Sequence, residues 1–228
     1  TQSDQKPVDA QARLVAGDSL QFAPRATTCH YPRMSDAAPL ASLLAATLAP
    51  RQPLLAEPHD GVVRLFNGFI EGCPTLVAEV YADTLVLLNH ANPPAAGLAA
   101  VEEAQRFYLA QLPWLKTVWV KSRHASPDDA SCSREGRLTH GTAPAREIRE
   151  HGVRYALELT LNQDTSFYPD TRNLRHWALA QLKGQRVLNT FAHTGSLGVA
   201  ALAGGARRMI QLDRARSFLD LARASHAF

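Results

Sequence analysis

"RVLNTFAHTGSLGVAALAGGARRMIQLDRA", residues 186–215, sets the architecture of the C-terminal part of this chain. An apolar run breaks into small residues around Gly195 and Gly198, an alanine-rich stretch follows, and a second apolar run ends at Asp213. Two strand-like runs joined by a tight loop and a helical stretch are typical of parallel strands with a crossover helix. The sequence therefore predicts an α/β fold here.

The loop after the first strand is a candidate ligand site. A glycine-bearing turn at this place directs backbone N–H groups and a helix N-terminus toward a ligand at the carboxyl edge of the sheet. Dinucleotide sites carry G-x-G-x-x-G there, whereas this chain has His193 at the first glycine position. We therefore expect a ligand without phosphates. Close packing of helix on strand is an alternative role for Gly195 and Gly198, and both roles can hold together.

Asp213 ends the second strand, where a carboxylate can accept hydrogen bonds from both hydroxyls of a ribose. Nicotinamide and adenosylmethionine sites share this feature, so Asp213 does not choose between those cofactors. The alternative is that Asp213 caps the helix predicted from "RARSFLDLAR".

The composition is that of a globular protein with one large domain or two small ones. Because the sequence has neither an uninterrupted apolar stretch of about 18 residues nor a signal-peptide pattern, we expect no membrane association and a cytoplasmic location. The three cysteines are far apart and odd in number, which matches neither a disulfide framework nor a zinc site. We therefore predict unpaired thiols and no metal at Cys29, Cys73 and Cys132.

Positive charge is concentrated toward the end of the chain. Residues 172–228 contain nine basic and two acidic residues, a net charge of +7, which leaves −4 for residues 1–171 out of the total of +3. A basic segment can attract RNA because contacts to phosphates release counterions. An arginine-rich solvated surface is the alternative explanation.

The sequence patterns divide the chain into three parts. Residues 1–35 lack sustained periodicity, and we predict a flexible extension. Residues 36–145 predict a small α+β domain, with a leucine-rich helix, strands in "VVRLF", "TLVAEVY", "TLVLL" and "LKTVWVKS", and a helix in "LAAVEEAQRFYLAQL". Residues 146–228 predict a hairpin in "IREHGVRYALELTL", a helix over 174–182, and the opening strand–helix–strand segment.

Two local details complete this prediction. Ser35 and Asp36 are start signals for the first helix. Residues 123–144, rich in Ser, Asp, Gly and Pro, predict a long surface loop.

Three motifs in one order resemble a known family. "VLNTFAHTGSLGVAALAGGA", followed by the strand ending at Asp213 and by "FLDLARAS", resembles the large-subunit ribosomal RNA methyltransferases that make 5-methylcytosine or, in a sister branch, 7-methylguanosine. "EHGVRYALELTLNQDTSFYPDTR" stands where that family has G-x-K-T-G-[FY]-[FY]-x-D-Q-R, and "VVRLFNGFIEGCPTLVAEVYADTLVLL" resembles its central domain. The resemblance covers residues 36–228 and implies the start of a Rossmann-like class I methyltransferase sheet after a small α+β domain.

The resemblance also implies S-adenosylmethionine as cofactor and assigns residues to its pocket. The aromatic slots of the motif before the loop are Phe167 and Tyr168, although core packing is an equally good explanation for both. The implied cofactor-binding residues are Tyr168, Asp170, Arg172, Asn189, Phe191, His193, Thr194, Gly195, Gly198 and Asp213. Two positions depart from the family: Asp164 replaces its usual lysine and Ser166 its glycine.

Later motifs of that family, a proline-rich loop and the catalytic cysteine of the cytosine branch, are not found in this sequence. We therefore predict no catalytic residue in this chain. We also expect the chain to be a piece of a longer protein, and the 228 residues alone to be inactive.

Together the motifs predict an S-adenosylmethionine-dependent methyltransferase acting on a base of RNA, with ribosomal RNA as its partner. The first alternative is a non-catalytic RNA-binding or scaffold protein that keeps the fold, favoured by the two departures and the +7 segment. A nicotinamide oxidoreductase is a third hypothesis, weakened by His193 in the glycine position.

Overall fold

The computed structural model describes residues 38–126, 132–161 and 165–228. The predicted extension, the start signals Ser35 and Asp36, and Asp164 lie outside the described residues. The helices are α1 Leu40–Leu48, α2 Gly68–Glu71, α3 Leu98–Gln111, α4 Arg172–Gln181, α5 Ser196–Ala203 and α6 Arg216–His226. The strands are β1 Val62–Asn67, β2 Leu76–Tyr81, β3 Thr84–Asn89, β4 Thr117–Ser122, β5 Arg137–His140, β6 Glu147–Glu150, β7 Val153–Ala156, β8 Arg186–Thr190 and β9 Arg208–Leu212.

The first five strands form one mixed sheet in the order β1-β2-β3-β4-β5. β1, β2 and β3 are the predicted antiparallel meander, and α3 returns the chain so that β4 runs parallel to β3. β3 carries apolar side chains on both faces, because Leu85 and Leu87 point to one cluster of buried residues and Val86 to another. Both faces of this sheet are therefore covered.

The prediction of a loop throughout residues 123–144 is wrong for β5. This strand pairs antiparallel with β4 at the edge of the sheet, and Thr139 donates a 2.7 Å hydrogen bond to Gln105 on α3. Most of its residues are exposed, so its sequence lacks the alternation of apolar and polar residues that identifies a half-buried strand. Pairing with β4, rather than local pattern, makes this segment extended.

Two buried clusters lie on opposite faces of the mixed sheet. The first, with Leu44 of α1 and Val101 of α3, contains residues of the predicted α+β domain alone. The second joins Val62 and Val86 of the sheet to Ile148 of the β6–β7 hairpin, and also includes Tyr81, Tyr155, Leu157, Leu159, Phe167 and Val199. The described residues from 38 onward accordingly pack as one compact unit, and the domain boundary at residue 145 stays a prediction.

β8, α5 and β9 form the predicted parallel strand–helix–strand segment, with Val187 paired with Met209 and Thr190 with Leu212. Small side chains let α5 approach α4 closely, since Ala200 and Ala201 pack on Ala178. The other face of the two strands is exposed, at Leu188, Ile210 and Leu212. The parallel pair is thus packed on one side and open on the other.

Two further observations concern the described residues. Cys73 and Cys132 form no disulfide, and Cys29 lies outside the described residues. Within the part of the chain that the structure describes, no helix combines the length and apolar character required to cross a membrane.

Candidate functional site

The loop that follows β8 turns sharply across the end of β9. Phe191, His193 and Gly195 all have positive φ angles, of 55°, 51° and 73°. The amide of Ala192 donates to the carbonyl of Leu212 at 2.9 Å, which ties the loop to the neighbouring strand. Left-handed backbone at non-glycine residues is uncommon, and such strained residues cluster at functional sites. This turn leaves the ring of Phe191 94% exposed.

Asp213 holds this loop and the start of α6 together. One carboxylate oxygen accepts the amide of Ala215 at 2.9 Å and the other accepts the amide of His193 at 2.7 Å. The backbone donors, first Ala215 and then His193, hold the pKa of Asp213 below its ordinary value, so the group is ionised at neutral pH. A carboxylate offers about four lone-pair positions, which is more than the backbone donors of Ala215, His193 and Arg214 use. The capping role and a ligand role are therefore compatible.

A cavity of about 730 Å³ opens beside this carboxylate. It is lined by Thr190, Phe191, Leu212, Asp213 and Arg214, at the carboxyl ends of the two parallel strands. Open α/β sheets bind their ligands at this edge, and the volume is within the usual range of about 300–1,000 Å³ for small-molecule sites. The loop, the acid and the cavity together are a candidate site for a small molecule.

Three aromatic rings form one wall next to the loop. The ring of His193 lies 4.9 Å from that of Tyr168 and 4.4 Å from that of Phe218, measured between centroids. Tyr168 is a predicted site residue, whereas sequence reasoning missed Phe218. The available signal was its place in the first turn of the amphipathic helix that follows Asp213.

Gly195 and Gly198 serve packing, as the alternative interpretation proposed. A Cβ atom would lie 2.4 Å from Gln211 Nε2 at Gly195 and 2.6 Å from Gln211 Cδ at Gly198. Asn189 also contacts Gln211, to whose amide oxygen it donates at 3.2 Å. These three predicted site residues therefore act on the loop through Gln211 of β9, which sequence reasoning did not single out.

The segment before α4 contacts the loop directly. Thr194 donates from its hydroxyl to the carbonyl of Ser166, and the Ser166 hydroxyl accepts the amide of Glu158 at 2.9 Å. The departure from glycine at Ser166 is thus used for a hydrogen bond. Phe167 is buried against Tyr155, with ring centroids 5.0 Å apart, so core packing is its role.

Arg175 of α4 holds the segment before that helix in place. Sequence reasoning missed this residue. The side chain is 1% exposed, makes two bonds of 2.6 and 2.9 Å to the buried carboxylate of Glu150, and lies 3.9 Å above the ring of Phe167. Its guanidinium also donates to the carbonyl of Tyr168 at 2.9 Å. A buried arginine with a bidentate carboxylate partner fixes its neighbours firmly.

Asp170 and Arg172 are placed differently from the rest of the predicted set. Asp170 is exposed in a 3₁₀ turn, and Arg172 lines a separate cavity of about 250 Å³ together with Glu150 and His151. The Arg172 guanidinium lies 3.9 Å from the Glu150 carboxylate. This cavity shares no lining residue with the one beside Asp213, so the structure does not bring Arg172 to the Asp213 cavity.

The fold and the candidate site point to a class: an α/β protein with a candidate small-molecule site at the carboxyl edge of parallel strands. Residues 92–228 match the family model described as S-adenosylmethionine-dependent methyltransferase. The chain belongs to this family, which confirms the resemblance and the predicted fold class. Assignment to the 5-methylcytosine or 7-methylguanosine branch stays a prediction.

Curated relatives carry related names. The ribosomal RNA large subunit methyltransferase I of Aeromonas salmonicida is 32% identical over 181 residues, which cover 76% of this chain and 43% of the relative. The ribosomal RNA large subunit methyltransferase of Deinococcus radiodurans is 30% identical over 189 residues, or 80% of this chain and 46% of the relative. The chain thus spans less than half the length of these relatives.

Solved structures share the fold. A candidate SAM-dependent methyltransferase from Streptococcus mutans superposes with a TM-score of 0.71 at 20% identity, over 82% of this chain and 48% of that one. A candidate methyltransferase in complex with SAH gives a TM-score of 0.69, also at 20% identity, over 82% and 47% of the two chains. At this identity the likeness concerns the fold alone.

Proposed function

We propose that the protein containing this chain transfers a methyl group from S-adenosylmethionine to a base of large-subunit ribosomal RNA. One observation carries the proposal: the ionised Asp213 carboxylate, whose backbone donors leave acceptor capacity for a ligand, lies at the carboxyl edge of parallel strands beside a cavity of ligand size. The names of the relatives support the choice of RNA as substrate.

The residues present suit this cofactor. Asp213 would accept the ribose hydroxyls, as charge-assisted hydrogen bonds that favour an ionised carboxylate. Phe191 and Thr190 line the same cavity. Asn189, Thr194, Gly195 and Gly198 would shape the loop rather than touch the ligand, whereas Asp170 and Arg172 keep only the support of the resemblance.

Bound at this site, S-adenosylmethionine would supply the methyl group of its positively charged sulfur to a nucleophilic atom of the base, with breakage of the methyl–sulfur bond and release of SAH. The contribution of this chain is to bind and orient the cofactor, since proximity and alignment account for much of such a reaction. The +7 charge of residues 172–228 would attract the phosphates of the RNA. A cytoplasmic location follows from an RNA substrate on the ribosome.

Calorimetry on the full-length protein tests the cofactor. We expect S-adenosylmethionine and SAH to bind and NAD to show no heat of binding. Binding of NAD without binding of either adenosyl compound would contradict the proposal and favour an oxidoreductase.

A second measurement tests the substrate. Full-length protein, labelled S-adenosylmethionine and large-subunit RNA lacking its methyl groups should give labelled RNA, while small-subunit RNA should not. Cofactor binding without any transfer to the large-subunit RNA would favour the non-catalytic alternative.

A further inference from the structure

A buried polar cluster joins the mixed sheet to the segment before α4. The hydroxyl oxygen of Tyr81, at the end of β2, lies 2.7 Å from a carboxylate oxygen of Glu79 and 2.8 Å from both the Thr165 hydroxyl and the Phe167 carbonyl. Tyr81, Glu79 and Thr165 are each at most 3% exposed. Tyr81 of the sheet thus contacts residues 165 and 167, which are more than 80 positions away in the chain.

The charge in this cluster is balanced from one side. Arg64 of β1 contacts the Glu79 carboxylate at 2.7 Å through two of its nitrogen atoms. Burial raises the pKa of Glu79, against the opposing effect of Arg64, and burial also raises the pKa of Tyr81 well above its usual range. The phenol therefore keeps its proton at neutral pH. Thr165 is also 3.0 Å from the Phe167 carbonyl, so the hydroxyls of Tyr81 and Thr165 both lie within hydrogen-bond distance of that carbonyl.

Residues 165–168 also contact the loop of the candidate site. Tyr168 follows Phe167 directly, and its ring faces His193 of the loop at 4.9 Å. The hydroxyl of Thr194 donates to the Ser166 carbonyl, between the two residues that Tyr81 contacts. A displacement of residues 165–167 would therefore move both the aromatic wall and the loop that Asp213 holds.

We infer that Tyr81, supported by Glu79, is a positioning residue for the cofactor site: its hydroxyl fixes residues 165–168 and through them the loop after β8. The inference rests on the proposed function. Tyr81 lies outside the cavity beside Asp213, so it acts through Phe167 and Thr165 rather than by contact with the cofactor. The predicted α+β domain would thereby complete a site whose ligand contacts lie in the α/β segment.

Tyr81→Phe in the full-length protein tests this role, with Tyr108→Phe as the matched control. Tyr108 is also fully buried but belongs to the other cluster, on the opposite face of the sheet. We expect Tyr81→Phe to weaken SAH binding about tenfold, equivalent to about 1.4 kcal/mol, and Tyr108→Phe to leave the affinity unchanged. In the methylation assay the KM for S-adenosylmethionine should rise, while the KM for RNA stays constant.

Substitutions at Thr165 provide a second test that does not depend on the folding of Tyr81→Phe. Thr165→Val removes the hydroxyl at nearly constant shape and should weaken SAH binding, whereas Thr165→Ser keeps the hydroxyl and should restore it. Hydrogen exchange of residues 165–171 should accelerate in Tyr81→Phe and Thr165→Val and not in Tyr108→Phe.

The outcomes distinguish the proposed function from the positioning role of Tyr81. Wild-type protein that binds neither S-adenosylmethionine nor SAH would overturn the proposed function and this role together. If the wild-type protein binds SAH, and Tyr81→Phe and Thr165→Val bind it with the same affinity as the wild type, the positioning role alone is overturned.

Discussion

Two regions that border the candidate cofactor site differ in how they are held. Residues 165–168 are fixed by polar contacts from three directions: Tyr81 in the mixed sheet, Arg175 in α4 and Thr194 in the loop. Strands β8 and β9, by contrast, pack on one face only and expose Leu188 and Ile210 on the other. Regions with few buried contacts open more readily than regions with many. The segment before α4 is therefore held firmly, whereas strands β8 and β9 on the other side of the site are held more weakly.

The largest effect is expected at the buried ion pair between Arg175 and Glu150. Arg175→Met leaves the Glu150 carboxylate buried without its two close bonds, and removing one partner of a buried pair typically costs about 3–5 kcal/mol. Urea unfolding of the variant measures this loss. Arg223→Met removes an exposed pair with Asp220 and should cost less than about 1 kcal/mol. Equal small losses of unfolding free energy in both variants would show that the segment before α4 does not depend on Arg175.

Asp213→Ala separates ligand binding from folding. The variant loses charge-assisted hydrogen bonds to the ribose, so SAH binding should weaken by about 1.5–3 kcal/mol while the fold survives. Asp220→Ala, an exposed acid on α6, is the control and should bind normally. Calorimetry and thermal unfolding of both variants decide the matter. Unchanged affinity with lowered stability would mean that Asp213 serves only the backbone amides of His193 and Ala215.

Gly198→Ala probes the packing between α5 and β9. Overpacking against Gln211 typically costs about 1–3 kcal/mol, and the better helix propensity of alanine returns about 1 kcal/mol, so a net loss of about 1 kcal/mol is expected. Chemical unfolding provides the number. Adding Gln211→Ala removes the clash and should recover most of the loss. If it does not, Gln211 is not what limits the space at Gly198.

Leu188→Thr gives the smallest expected effect. Because Leu188 is 63% exposed and threonine is well accepted in strands, the change in unfolding free energy should stay within about 0.5 kcal/mol. Val187→Thr, on the packed face of the same strand, should cost clearly more. A loss above about 1 kcal/mol for Leu188→Thr would show that this face is covered in solution.

The fold was predictable where local patterns are strong. α3 begins at Leu98 as predicted, the β6–β7 hairpin turns at His151 and Gly152, and β8, α5 and β9 follow the order expected from residues 186–215. Strand β5 was missed, since its few side-chain contacts with the rest of the molecule leave no apolar period in the sequence. For the candidate site, Asp213 and the loop with His193 and Gly195 were recognised from their place after parallel strands.

What the sequence determined by itself is the set of local elements and the acid and turn at their ends, because period, glycine position and strand ends are properties of neighbouring residues. Only the tertiary structure decided which distant residues complete the site. Tyr81 reaches Phe167, Arg175 pairs with Glu150, and Arg172 lines a different cavity from Asp213. Buried hydrogen bonds and ion pairs depend on burial and on the exact approach of separate elements, and neither quantity is encoded in the spacing of residues along the chain.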